Sequence, residues 1–246
     1  MISIIGAGNM GRVVASGIKA KVFFSDKFKR ISDNITAAKR SNIIILAVKP
    51  QNMAEVLKEI KPYVKNKLII SIAAGVPTLS IEKALGKVRV IRVMPNMPAM
   101  VGKGISAISR GRFAAPGDLK RASWIFANLG EVVRVKEKIM DAVTAVSGSG
   151  PAYYFLFTYL LAKSGEAQGL EKALALKLAR AAFIGAAEVA NRNKNLSMEE
   201  LVKKVASKGG TTEAALNVFK EKKLELVIKK AVNAAAHRSK QLEKRR

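Results

Sequence analysis

The chain of 246 residues contains no cysteine, which excludes disulfides, thiolate metal sites and a thiol nucleophile. It has one histidine, His237, set among Arg238, Lys240 and Lys244, and that setting reads as a surface residue rather than a catalyst. A histidine triad or a multi-histidine centre is thereby excluded, and no metal site is expected. Long apolar runs are also missing. The longest, residues 151–162, is about half the ~20 residues that span a bilayer, so it is expected to form a buried helix rather than a membrane segment. No charged leader precedes the first apolar run, so no signal peptide is expected and the reading is cytoplasmic. Acidic residues are scarce: 18 Asp plus Glu against 44 Lys plus Arg give +26, enough to attract polyanions. The cations are scattered along the sequence without zinc-finger spacing, an RNP-type aromatic motif or a long basic arm. They are read as solvated surface. Non-specific association with nucleic acid is a side reading and is not expected.

What is present begins at residue 2. A short apolar run, Ile2 to Ile5, feeds Gly6-Ala-Gly-Asn-Met-Gly11. In this pattern Gly6 takes a tight turn, Gly8 removes the side chain that would block a pyrophosphate, and Gly11 lets the next helix lie close to its strand. The helix start then offers free N–H groups and a partial positive charge to the anion. Asp26 follows at twenty residues beyond Gly6, where a carboxylate can meet a ribose hydroxyl.

Further apolar or β-branched runs occupy residues 22–25, 43–48, 68–72, 88–93, 105–108 and 132–135, separated by helical stretches at 53–63, 80–85 and 116–129. This alternation predicts a mainly parallel sheet wrapped by helices. About seventeen residues separate the runs ending at Ser25 and starting at Ile43, which leaves room only for a very short helix near residues 36–40. From about residue 137 the strands stop, and helical periodicity takes over at 152–167, 173–190, 198–205, 212–219 and 224–236. The fold class is α/β: a Rossmann-like dinucleotide-binding domain over residues 1–138, followed by an all-helical carboxyl-terminal domain over residues 139–246.

Four later segments carry polar chemistry. Ala47-Val-Lys-Pro-Gln51 ends a strand, where doubly wound sheets place ligand loops. Met94-Pro-Asn-Met-Pro98 fixes the backbone around Asn96, whose amide can reach a nicotinamide or its ribose. Ser147-Gly-Ser-Gly-Pro-Ala-Tyr153 joins the two domains. Ser207-Lys-Gly-Gly-Thr-Thr-Glu213 places two glycines before a helix start, which suits a carboxylate, with the hydroxyls of Thr211 and Thr212 beside it. A plain helix N-cap joined to a loop satisfies the same residues equally well.

Together these segments resemble pyrroline-5-carboxylate reductase along nearly the whole chain. The family's glycine-turn start, AVKPQ, MPN loop, DAVTA-SGSGPAY and SPGGTT patterns match here at Gly6 to Gly11, Ala47 to Gln51, Met94 to Asn96, Asp141 to Tyr153 and Ser207 to Thr212. The resemblance implies NADPH- or NADH-dependent reduction of 1-pyrroline-5-carboxylate to L-proline, by a chain that assembles into a homo-oligomer built from dimers. It places the cofactor against Gly6, Ala7, Gly8, Asn9, Met10, Gly11, Ser25, Asp26, Lys27, Asn34, Ala47, Val48, Lys49, Pro50, Ala73, Ala74 and Asn96. It places the substrate at Ser207, Gly209, Gly210, Thr211 and Thr212. Two departures stand out: the second crossover helix is shortened, and Lys208 replaces the family's usual proline.

Reducing a cyclic iminium needs orientation more than a strong protein acid, because the ring nitrogen already carries the charge. The backbone of residues 210–212 is expected to hold the carboxylate, and the Thr212 hydroxyl to engage the ring nitrogen as the one catalytic side chain. Asp26 favours NADH, whereas Lys27, Lys29 and Arg30 outnumber it and tilt the reading slightly to NADPH. The competing functions are another NAD(P)H-dependent imine or hydroxyacid reductase of this architecture, and a nucleic-acid-associated protein retaining a nucleotide fold.

Overall fold

The computed structural model describes residues 1–26 and 31–244, with side chains to residue 242. Its first compact unit comprises Met1–Ser149 and Val232–Arg246, and its second Gly150–Ala231.

The first unit is built on a seven-stranded sheet in the order β2-β1-β3-β4-β5-β6-β7. The strands are β1 (Ile2–Ile5), β2 (Val22–Ser25), β3 (Ile43–Leu46), β4 (Leu68–Ser71), β5 (Arg89–Met94), β6 (Gly104–Arg110) and β7 (Gly130–Arg134). The central strands β1, β3 and β4 are short runs dominated by isoleucine and leucine, as expected where helices cover both faces. On one face Val13 and Val14 of α1 (Asn9–Ser16) and Ile125 and Phe126 of α5 (Pro116–Ala127) pack against Ile4, Ile45 and Ile70. On the other, α2 (Asn34–Arg40), α3 (Met53–Ile60) and α4 (Thr78–Leu85) pack against Ile5, Ile44 and Ile69. The very short helix expected near residues 36–40 is α2, capped by the Asp33 side chain, which accepts from Thr36 N–H.

All neighbouring strands run parallel except β5 and β6. Residues 95–103 are too few for the roughly dozen-residue crossover that a parallel pair requires, so the chain turns back beside β5. A consequence is that the ends of β6 and β7 lie at the same edge as the starts of the other strands. Every connection at that edge is basic: Lys19 and Lys21 before β2, Lys39 and Arg40 before β3, Lys65 and Lys67 before β4, Lys87 and Arg89 at β5, Arg110 and Arg112 after β6, and Arg134 and Lys136 after β7. Cations scattered in sequence are thus gathered by topology.

The four-residue helix α6 (Met140–Val143) runs into a π-helical turn over residues 144–148, where Gly148 packs against the Met94 side chain. The end of α11 (Leu224–Lys244) also belongs to this unit. Buried Ser239 donates its hydroxyl to Asp141 Oδ1 at 2.7 Å, and a Cβ on Gly75 would overlap the Ser239 carbonyl.

The second unit contains α7 (Gly150–Ala167), α8 (Lys172–Arg192), α9 (Met198–Val205), α10 (Thr211–Glu221) and the first turns of α11. Tyr154 and Phe155 of α7 meet Phe183 of α8 at ring-centroid distances of 6.0 and 6.3 Å. One expectation needs correcting here. Residues 151–162 do form a helix, but within the single chain α7 is not buried: Tyr154 is 63% exposed, Leu156 56% and Leu160 51%. The unit has too few layers to cover both faces of its longest helices, so the apolar run that reads as core is surface in one chain. Among the described residues, no helix is long and apolar enough to cross a membrane.

Candidate active site

The carboxyl ends of β1, β2 and β3 open onto a cleft of about 490 Å³. Strand β1 delivers the chain into Gly6 at φ 107°, where a Cβ would stand 2.6 Å from the Ala47 carbonyl oxygen. Gly6 N–H donates to the Ser25 carbonyl at 2.8 Å, tying the turn to β2. At Gly11 a Cβ would overlap the Gly6 carbonyl, so α1 begins pressed against its strand. Gly8 differs from both: it lines the cleft, and a Cβ there would meet no atom within 4 Å.

Gly8 is also the N-cap of α1. No side chain caps the helix, and no acidic residue lies in its first turn. The first intrahelical bond is Arg12 N–H to the Gly8 carbonyl at 3.0 Å, leaving the amides of Asn9, Met10 and Gly11 without helix partners at the positive end of the dipole. This is the geometry that receives a pyrophosphate, and the open side of Gly8 leaves room for one.

Asp26 borders the cleft and accepts Ala7 N–H on Oδ2 at 2.7 Å, so the carboxylate also holds the glycine turn in shape. Asn34, the first residue of α2, accepts the Ser25 hydroxyl proton on Oδ1 at 2.9 Å and donates from Nδ2 to Glu59 at 2.6 Å. It links the end of β2 to α3, with Ser25 buried behind it. Ala47, Val48 and Lys49 form the β3 wall of the cleft, and Pro50 starts the turn that leads into α3. Ala73, Ala74 and Asn96 follow β4 and β5 at the same sheet edge but do not line the cleft. Buried Asn96 accepts Ile105 N–H on Oδ1 at 2.9 Å, which pins the start of β6. Lys27, Lys29 and Arg30 lie outside the described residues.

The cleft also contains residues that the motif reading passed over: Gln51, Asn52, Glu55, Val56 and Glu59. Positions 52, 55, 56 and 59 follow the three-and-four spacing of one helix face, and α3 begins directly after the motif that ends at Gln51. That periodicity was the available signal.

In the second unit, α9 ends at Val205 and a short turn leads to α10. Ser207 accepts Gly210 N–H on its carbonyl at 3.0 Å. Gly209 sits at φ 73°, a conformation that L residues seldom adopt, and donates its N–H to Glu213 Oε2 at 2.6 Å. Gly210 is the N-cap of α10, without a side-chain cap, and the first helix bond is Ala214 N–H to its carbonyl at 3.1 Å. The amides of Thr211, Thr212 and Glu213 therefore lack intrahelical partners. Thr211 is exposed, Thr212 is half-buried, and the Glu213 carboxylate is turned back toward Gly209. His237 is exposed and contacts Gln241.

Residues 137–242 match the family described as pyrroline-5-carboxylate reductase dimerisation, and residues 1–75 match the family described as NADP oxidoreductase, coenzyme F420-dependent. The chain is 38% identical to the pyrroline-5-carboxylate reductase of Methanosarcina acetivorans, over 99% of this chain and 98% of the relative. It is 42% identical to that of Synechocystis sp., over 87% and 79%. Among solved structures, it matches Plasmodium falciparum pyrroline carboxylate reductase with NADP bound at a TM-score of 0.89 and 31% identity, covering 98% of this chain and 97% of the other. The Coxiella burnetii pyrroline-5-carboxylate reductase matches at 0.87 and 33%, with coverage of 98% and 97%.

Proposed function

The chain belongs to the pyrroline-5-carboxylate reductase family, and on that footing we propose a division of labour among its residues for the NAD(P)H-dependent reduction of 1-pyrroline-5-carboxylate to L-proline. The uncapped start of α1 with the open face of Gly8 carries the cofactor assignment. There the amides of residues 9–11 hold the pyrophosphate, with Asp26, Asn34 and residues 47–50 around the ribose and adenine. Ala73, Ala74 and Asn96, at the same sheet edge, flank the nicotinamide end. When bound, the reduced nicotinamide supplies a hydride to the C=N carbon of the protonated imine and leaves as the oxidised cofactor, while the nitrogen keeps its proton and becomes the secondary amine of proline.

For the substrate, the partnerless amides at the start of α10 hold the carboxylate, within the segment formed by Ser207, Gly209, Gly210, Thr211 and Thr212. The Thr212 hydroxyl accepts a hydrogen bond from the iminium N–H and so fixes which ring carbon is presented. No protein acid is required, which agrees with a chain lacking cysteine and carrying its one histidine on an exposed helix surface.

Cofactor choice turns on charge. Asp26, Glu55 and Glu59 bring carboxylates to the cleft and Lys49 brings a cation, while Lys27, Lys29 and Arg30 follow Asp26 in sequence. This close balance supports a slight preference for NADPH, seen as a KM for NADPH below that for NADH by less than about tenfold. The exposed apolar helices of the second unit support a homo-oligomer built from dimers, and a cytoplasmic setting belongs to the same proposal. The deciding experiment is loss of NADPH absorbance on adding 1-pyrroline-5-carboxylate, with proline formed in equal amount. Cofactor oxidation without proline would remove the assignment.

A further inference from the structure

The six basic connections at the amino-terminal edge of the sheet are not used by the reduction. Ten of their twelve cations are exposed, Lys67 and Arg89 being half-buried. The connections themselves contain no acidic residue. Of the carboxylates packed nearby, Asp118 is buried and pairs with Arg89 at 3.0 Å and Arg121 at 3.4 Å, Glu137 is held by Thr78 and Arg92, and Glu82 is buried behind Gly111, away from the surface. We propose that this edge is a docking surface for the phosphodiester backbone of duplex DNA, bound without regard to base sequence.

Charge density supports this occupant. Seven strands spaced about 4.8 Å apart give an edge about 29 Å long, and the twelve cations average roughly one per 2.4 Å along it, against about one phosphate charge per 1.7 Å of duplex axis. Near the middle of the edge, Asn42, Asn66, Arg89 and Arg121 line a recess of about 370 Å³, which offers donors and room for a phosphate group. Three of the cations rest on aromatic rings: Lys39 on Tyr63 at 4.9 Å, Arg40 on Phe23 at 5.3 Å and Arg112 on Phe113 at 5.6 Å, which reduces the side-chain entropy lost on binding. The two aromatic residues of the connections, Tyr63 and Phe113, are each covered by a cation, Lys39 at 4.9 Å and Arg112 at 5.6 Å, rather than open to stack on bases, so a duplex read through its backbone fits better than a single strand. They expose a single large apolar side chain, Phe113 at 36%, far short of the apolar face that inserts into a lipid surface. The cofactor cleft lies at the other end of the strands, so duplex and dinucleotide occupy separate surfaces.

The test uses the intact protein and fluorescein-labelled duplexes of one mixed sequence, as DNA and as RNA, titrated by anisotropy over a range of NaCl; DNA is expected to bind at least as tightly, and clearly tighter binding of the RNA duplex would overturn the assignment. With about six phosphates engaged, log K is expected to fall against log salt with a slope of about −5. The triple variant Lys21→Ala, Lys65→Ala, Lys87→Ala should bring that slope to about −3 and weaken low-salt binding at least about tenfold. Its reductase kcat/KM should be unchanged, and saturating NADP⁺ should leave duplex affinity as it was. The proposal is overturned if the edge variant binds like the parent, or if Lys203→Ala, Lys220→Ala, Lys229→Ala in the second unit loses as much. It also fails if NADP⁺ displaces the duplex, or if only phosphatidylserine vesicles bind at the edge.

Discussion

At the scale of single residues, the glycines of the first turn are needed for different reasons, and the reasons separate in experiment. Gly6→Ala forces a side chain onto a backbone at φ 107° and into the Ala47 carbonyl. The conformation alone costs about 1–3 kcal/mol, so the melting temperature should fall by at least about 3 °C in a chain of this size. Gly8→Ala meets nothing within 4 Å at an ordinary φ of −71°, so stability should stay within about 1 °C by the same scaling. Its methyl nevertheless stands on the cleft side, where a pyrophosphate needs the space, and the KM for NADPH should rise at least about tenfold. Thermal unfolding and cofactor titration of both variants check the pair; a Gly8→Ala enzyme with parental KM would remove the pyrophosphate from this turn. Thr212→Ala tests the other unit. A hydrogen bond to a charged group contributes about 1.5–3 kcal/mol, so kcat/KM for the imine should fall roughly 10–100-fold with the KM for NADPH unchanged. A parental kcat/KM would take the hydroxyl out of the reaction.

Between elements, one polar cluster joins four of them. Arg92 of β5 is buried between Glu137 and Asp141, at 3.5 and 3.6 Å. Thr78 of α4 donates to Glu137 through both its N–H and its hydroxyl, and Ser239 of α11 donates to Asp141. Arg92→Met strips the charge from two part-buried carboxylates. Breaking a fully buried pair costs about 3–5 kcal/mol; with these carboxylates about a quarter exposed, a loss of about 1–3 kcal/mol is expected in urea unfolding, with faster amide exchange at residues 232–242. Exchange there as slow as in the parent would mean that α11 is held by other contacts. None of this cluster was legible in the sequence, because Thr78, Arg92, Asp141 and Ser239 meet only through the sheet order and the return of the last helix. What was legible rests on local physics. The isoleucine-rich runs became strands, the seventeen-residue gap became the short α2, and Gly6, Gly8 and Gly11 fell into a strand–turn–helix. The face of α3 that borders the cleft, at 52, 55, 56 and 59, was readable as periodicity, but it pointed to an ordinary amphipathic helix until β3 placed it beside the glycine turn. The reversal at β6 was implied by the shortness of residues 95–103, whereas the basic edge required every strand direction to be known first.

For the whole molecule, the helical unit is where a single chain falls short of burying its own apolar surface. Leu156 and Leu160 lie one turn apart on α7, 56% and 51% exposed. In a lone chain, replacing both with glutamate should cost little, since neither supports an internal core. In a twofold dimer each substitution appears twice at one self-complementary interface. Burying the exposed half of four leucines contributes roughly 3–6 kcal/mol, which corresponds to a dissociation constant raised about 10²- to 10⁴-fold. The parent protein should sediment at a multiple of its 26.5 kDa chain mass, and Leu156→Glu, Leu160→Glu at the mass of one chain with its helical circular dichroism retained. An unchanged sedimentation mass would place the contact between subunits elsewhere and leave the exposed face of α7 without its explanation.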